Sequence, residues 1–136
     1  MLAQLLHFLI VPLYKANSTD ESIVQSYITV LVEQGKVSAA LDLINDLLQD
    51  SSSKLKSFLY YKRSFLHSSV EKSLADLRSS LIANPRNTDS LFRLYQIYYD
   101  KKDYRKAQYY LKQVVALNPN DTDVKNLNEQ LNQLIN

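Results

Sequence analysis

Cysteine and tryptophan are absent from this chain of 136 residues, and it holds one glycine and three prolines. Without cysteine there is no disulfide, no thiolate metal site and no thiol nucleophile. A single glycine, Gly35, rules out the glycine-rich loops that cradle phosphates. It also leaves a sheet short of the residue that makes its tight turns and close backbone approaches. The two histidines, His7 and His67, lack an acidic partner at ligand spacing and sit among apolar neighbours, so ordinary packed or surface histidines are expected and no metal site is. An excess of charge is missing too. Sixteen basic and fourteen acidic residues leave +2, too little to draw nucleic acid or an anionic membrane. The basic run from Lys101 to Lys106 reads as a solvated turn.

Catalytic signatures are equally scarce. No G-x-S-x-G elbow appears and no Ser-x-x-Lys in a suitable setting. The carboxylates scatter along helix surfaces, with no pair spaced for acid–base work. No enzyme activity and no cofactor are expected. The ten tyrosines mostly follow helical spacing, which reads as core packing rather than as a platform for bases. Asn120-Asp121-Thr122 forms a glycosylation sequon, relevant only in a secretory setting.

What is present is helical. Hydrophobic residues make up 46% and charged residues 22%, a globular composition with enough apolar material for one modest core. The segment Ser73–Asn87 (SLADLRSSLIANPRN) aligns with Ala107–Asp121 (AQYYLKQVVALNPND). The Asn-Pro steps at Asn84-Pro85 and Asn118-Pro119 then fall 34 residues apart. A third copy upstream sets Ala40, Ile44 and Leu48 against Ser73, Leu77 and Leu81. Three copies are about the minimum at which stacked helix pairs bury a continuous core.

Each copy reads as two amphipathic helices. In the last, Leu91, Leu94, Tyr95 and Tyr98 share one face of a first helix. The chain turns at Lys101-Lys102, Asp103 caps the second helix, and Ala107, Leu111, Val114 and Val115 point inward. Asn118-Pro119 ends it, since the residue before proline is pushed out of the α region. In the first copy Val24, Tyr27, Ile28 and Leu31 precede the turn at Gly35, and Ala40, Ile44 and Leu47 follow it. The middle copy is irregular: Leu55, Phe58, Leu59, Phe65 and Leu66 form an apolar face out of phase with the others. After Pro119 a last helix carries Val124, Leu127, Leu131 and Leu134 in one stripe with a polar outer side, as a capping helix should.

The stretch Leu2–Tyr14 is apolar but too short to cross a membrane as a helix. Residues 1–18 are read as a helix that caps the repeats or docks into a partner. The alternative is a secretory leader, with Ala16 and Ser18 as small residues near a cleavage point but no basic residue ahead of the run.

These residues resemble the tetratricopeptide repeat family. Leu91, Leu94, Tyr98, Tyr104, Ala107, Leu111 and Pro119 occupy positions that the family pattern marks in the last repeat. Ser73, Leu77 and Pro85 do so in the middle one, and Gly35 and Ala40 in the first. Tyr95 and Ser52 depart from it, Ser52 standing where the closing proline would be. The resemblance implies an all-α, right-handed superhelical solenoid: repeats over 21–53, 54–87 and 88–121, and a capping helix over 121–135. It also implies an adaptor, most simply cytoplasmic, whose first helices line a concave groove for a partner peptide or helix. On that template Phe92, Arg93, Gln96 and Tyr99 line the groove of the last repeat beside Asp89. Gln25, Thr29 and Val32 line the first, and Lys62 and Phe65 the middle. Many family members clamp chaperone C-terminal carboxylates with Lys, Asn and Arg at set positions. Here those positions hold Gln25, Thr29, Lys62, Asp89 and Arg93, and only Arg93 fits outright. The expected partner is therefore another protein, with no nucleic acid and no stable membrane insertion. The alternative is a constitutive subunit of a multiprotein complex, docking through Leu5, Leu6, Phe8, Leu9 and Ile10.

Overall fold

A computed structural model describes residues 2–16 and 20–136, without the side chains of residues 2–4, 6 and 7. The expectations placed on Leu6, His7 and Ser18 lie outside the described residues. Every regular element described is an α-helix. These are α1 (Leu2–Ala16), α2 (Glu21–Glu33), α3 (Val37–Leu48), α4 (Ser53–Arg63), α5 (Val70–Ala83), α6 (Thr88–Asp100), α7 (Tyr104–Leu117) and α8 (Thr122–Ile135). The chain is all-α, as its composition and periodicity predict. No described helix is long and apolar enough to cross a membrane.

The helix starts follow side-chain chemistry. The Asp20, Ser69, Asn87, Asp103 and Asp121 side chains each accept a backbone N–H from the first turn of the following helix. Each such cap contributes about 1 kcal/mol by satisfying a donor the helix leaves open. Ser52 caps α4 in the same way, and its hydroxyl donates to the Glu21 carboxylate at 2.6 Å. A proline there would lack the side-chain oxygen that does both.

The turns repeat as well. After α2 the N–H of Gly35 bonds the Val32 carbonyl and that of Lys36 bonds the Leu31 carbonyl. After α6, Lys102 bonds Tyr99 and Asp103 bonds Tyr98 in the same pattern. This closure needs a left-handed residue at its centre, and Gly35 (φ 70°) and Lys102 (φ 61°) supply it. At the Asn-Pro steps α5 stops at Ala83 and α7 at Leu117. The carbonyls of Asn84 and Asn118 then accept from Asn87 and Asp121, the caps of the following helices. The 34-residue spacing thus recurs as one turn built twice.

The middle connection is different. α4 ends at Arg63, and Phe65 and Leu66 belong to the six-residue link to α5 rather than to an apolar helix face. That is why their phase disagrees with the other copies. Phe65 is about two-fifths exposed, 42%.

Each helix from α2 to α8 packs on its neighbours in sequence, α1 packs on α2, and α2 also touches α4. Two apolar clusters result. Val24, Ile28, Ile44, Leu55 and Leu59 make the upstream one. The downstream one is centred on Leu74, Leu77, Leu91, Leu94, Ala107, Leu111 and Leu131. Ala107 is fully buried, and its small side chain lets α6 and α7 approach closely. Leu134, expected in the inner stripe of α8, is half exposed.

Between the two clusters runs a buried polar seam. The Ser57 hydroxyl donates to the Ser80 carbonyl at 2.8 Å, and the Ser80 hydroxyl donates to the Ser57 carbonyl at 2.8 Å. With each hydroxyl proton so used, the Ser90 hydroxyl donates to Ser80 Oγ at 2.6 Å and Asn87 Nδ2 donates to Ser57 Oγ at 2.8 Å. Nearby, Asp76 is 4% exposed. It takes two hydrogen bonds from Arg63, at 2.7 and 2.9 Å, and lies 2.6 Å from His67 Nε2. Arg63 also donates to Asn45 on α3 at 2.9 Å, so one guanidinium ties α3, α4 and α5 together. One expectation is corrected here: Asp76 is a carboxylate that does not lie on a helix surface.

Candidate functional site

The side chain of Arg93 projects from α6 into a groove of about 300 Å³. Its guanidinium carbon sits 3.7 Å from the centre of the Phe65 ring, a close cation–π contact. Phe65 reaches it because the middle connection is long enough to swing that ring out of α4. Tyr61 meets Phe65 edge-on at 5.1 Å. Phe92, the residue before Arg93, and Gln96, three residues after it, share the groove, and the buried Val114 and Val124 form its floor. The α7–α8 turn brings Asn118 and Asp121 to its edge.

Arg93 has no ion pair or hydrogen bond among the described residues, and its Nε is buried without an acceptor. Burial holds its guanidinium below the usual value, an effect that Tyr61 partly offsets. Arg63 is the contrast. Its hydrogen bonds to Asp76 raise its pKa above the usual value. The Tyr61 phenol is pushed up, first by burial and then by Asp89, so it stays neutral at physiological pH. A desolvated donor with no partner costs free energy, and the terminal N–H groups of the same guanidinium are the ones a ligand in the groove can reach.

The other expected residues fall in different places. Tyr99 lies two turns beyond Phe92, in an adjoining cleft of about 540 Å³ that also includes Arg93, Gln96 and Asp100. Gln25 and Thr29 line a separate hollow of about 390 Å³ on α2, against Phe58 of α4. The Thr29 hydroxyl donates back to the Gln25 carbonyl of its own helix at 2.9 Å. Val32 packs against the upstream core. Lys62 holds its ammonium 5.7 Å from the Phe58 ring and 5.8 Å from the Tyr61 ring, outside both hollows. Of the ten residues predicted to line the groove, Phe65, Asp89, Phe92, Arg93 and Gln96 converge in one place, Tyr99 adjoins them, and Gln25, Thr29, Val32 and Lys62 stand apart. Sequence reasoning missed Tyr61, Val114, Val124 and Asp121. The Asn-Pro step at Pro119 is the available signal for the last two, because it folds α8 back on α7.

Among the described residues no group of His, Asp and Glu converges as metal ligands would. No family model matches the chain, and no curated protein sequence matches it.

Proposed function

We propose that this chain is a noncatalytic protein-interaction module of tetratricopeptide type, which holds a segment of a partner protein in the groove around Arg93. The observation that carries the reading is the guanidinium of Arg93, which has no ion pair or hydrogen bond among the described residues, stacked on the exposed Phe65 ring. Aromatic rings and arginine are the usual anchors of protein interfaces, and the terminal N–H groups of that guanidinium are left to donate to a partner. The solenoid is part of the proposal. It is supported by the 34-residue recurrence of the Asn-Pro turn, by the matched closures at Gly35 and Lys102, and by the pairwise packing of successive helices. In this reading α2–α3, α4–α5 and α6–α7 are the repeats, α8 is the cap, and the module works in the cytoplasm.

A second reading is favoured by α1. Leu5, Phe8, Leu9 and Leu13 are 49–80% exposed and lie on one stripe of that helix, a large uncovered apolar surface. On that reading the chain is a fixed subunit of an assembly that α1 enters.

Affinity capture with three forms of the chain separates the two. Arg93→Glu with Tyr99→Ala is expected to lose at least about nine-tenths of the captured partner, since each anchor is worth about 1 kcal/mol or more. Its helical circular dichroism should stay intact. Deleting residues 1–18 is expected to leave capture unchanged. Undiminished capture by the double variant, with loss on deletion, would remove the groove reading and establish the α1 one.

A further inference from the structure

We infer that the occupant of the groove is a proline-rich segment in the extended polyproline II conformation, with prolines on the α6 rings and a main-chain carbonyl on Arg93. This rests on the groove reading above and names the chemistry of its partner. Three observations support it.

The first is the run of rings along α6. Phe92 and Tyr95 are 5.3 Å apart, Tyr95 and Tyr99 5.9 Å, and Tyr99 and Tyr104 5.5 Å, all tilted rather than parallel. Tyr95 is buried and supports the other two α6 rings from below, while Tyr99 is exposed and Phe92 partly so. Seven residues separate Phe92 from Tyr99, about 10.5 Å along a helix axis. One turn of polyproline II takes three residues and rises about 9.3 Å. Two prolines three residues apart therefore reach both rings, and aromatic-lined grooves of this kind suit proline rings.

The second is the Arg93 guanidinium, which has no hydrogen-bond acceptor among the described residues and whose terminal N–H groups, unlike the covered Nε, can be reached from the groove. Polyproline II has no internal hydrogen bonds and offers a carbonyl at every residue. A helical occupant has already used its carbonyls, apart from the last turn, and would have to supply a carboxylate instead.

The third is charge. Asp89 and Asp121 line the groove that holds Arg93, and Asp100 lines the adjoining cleft. Three acids around one guanidinium oppose an acidic segment. A neutral carbonyl meets no such repulsion.

The test uses the full chain labelled with nitrogen-15 and titrated with four end-capped ten-residue peptides. One is neutral with proline at every third position, and one replaces those prolines with alanine. The third is a neutral leucine-striped helix, and the fourth is an extended acidic peptide. The proline peptide is expected to shift the amides of Phe92, Arg93, Gln96 and Tyr99, and to bind roughly tenfold more tightly than its alanine version. Arg93→Ala should weaken it roughly tenfold, as loss of a hydrogen bond from a charged donor does. Arg93→Lys, which keeps the charge and loses the guanidinium's forked donors, should weaken it comparably. Shifts of those amides by the helical or acidic peptide, with none by the proline peptide, would overturn the inference and leave the groove as a binding site. Silence from all four peptides would overturn it too, and the groove reading would then be judged by cross-linking in cells.

Discussion

Asp76→Ala is expected to lower the free energy of unfolding by about 3 kcal/mol, the cost of leaving a largely buried charge without its partner. Asp76 is 4% exposed and takes two hydrogen bonds from Arg63. Removing its carboxylate strands a guanidinium that also holds Asn45, so α3, α4 and α5 lose a common tie. The loss should appear as a lower urea midpoint with an unchanged slope. Replacing both partners by apolar residues, Arg63→Met with Asp76→Leu, is expected to recover most of it, because no buried charge then remains. A loss below about 1 kcal/mol for Asp76→Ala would place the pair among weak surface ion pairs, and the seam would not be what joins the two clusters.

Ser80→Val is expected to cost a similar amount, about 3 kcal/mol, by another route. Ser80 is fully buried. Losing its hydroxyl leaves the Ser90 hydroxyl without its acceptor and takes the second donor from the Ser57 carbonyl, which keeps its bond within α4; an unsatisfied buried group costs about 1–3 kcal/mol. Valine also brings extra volume into a close crossing of α4 and α5. Ser57 and Ser80 act as one unit, so Ser57→Ala with Ser80→Ala should cost less than the sum of the two single changes. Strict additivity in chemical denaturation would show that the two hydroxyls do not act as a reciprocal clasp.

These two changes fall where the sequence was least readable. The features that spoke clearly were local. The Asn-Pro steps each forbid helix continuation at a fixed point, Gly35 fits a left-handed turn, and Leu91, Leu94, Tyr95 and Tyr98 keep one helical face. Each signal needs only a few neighbouring residues. The seam is not local. Ser57 and Ser80 are 23 residues apart and Asp76 lies 13 residues from Arg63. Serine and aspartate in an amphipathic pattern read as the solvent side, and only the packing of α4 on α5 reverses that reading. Lys101-Lys102 reads as a turn, yet nothing in a lysine announces the positive φ of Lys102. At the groove, Phe92, Arg93 and Gln96 come from the repeat template, as do Gln25, Thr29 and Lys62, and the template presumes regular copies. The long link after Arg63 breaks that regularity, and it is the same link that carries Phe65 to Arg93.

The groove is the centre of the account, and photocrosslinking from within it is the most direct test. A photoreactive residue replaces Gln96, exposed at the groove. In separate chains it replaces Ile82, 84% exposed on α5, or Phe8, 80% exposed on α1. The chains are irradiated in living cells and their adducts resolved by mass. The account predicts a defined protein adduct from position 96 that Arg93→Glu abolishes, and none from position 82. Adducts from position 8 alone, or equal labelling from 96 and 82, would contradict it.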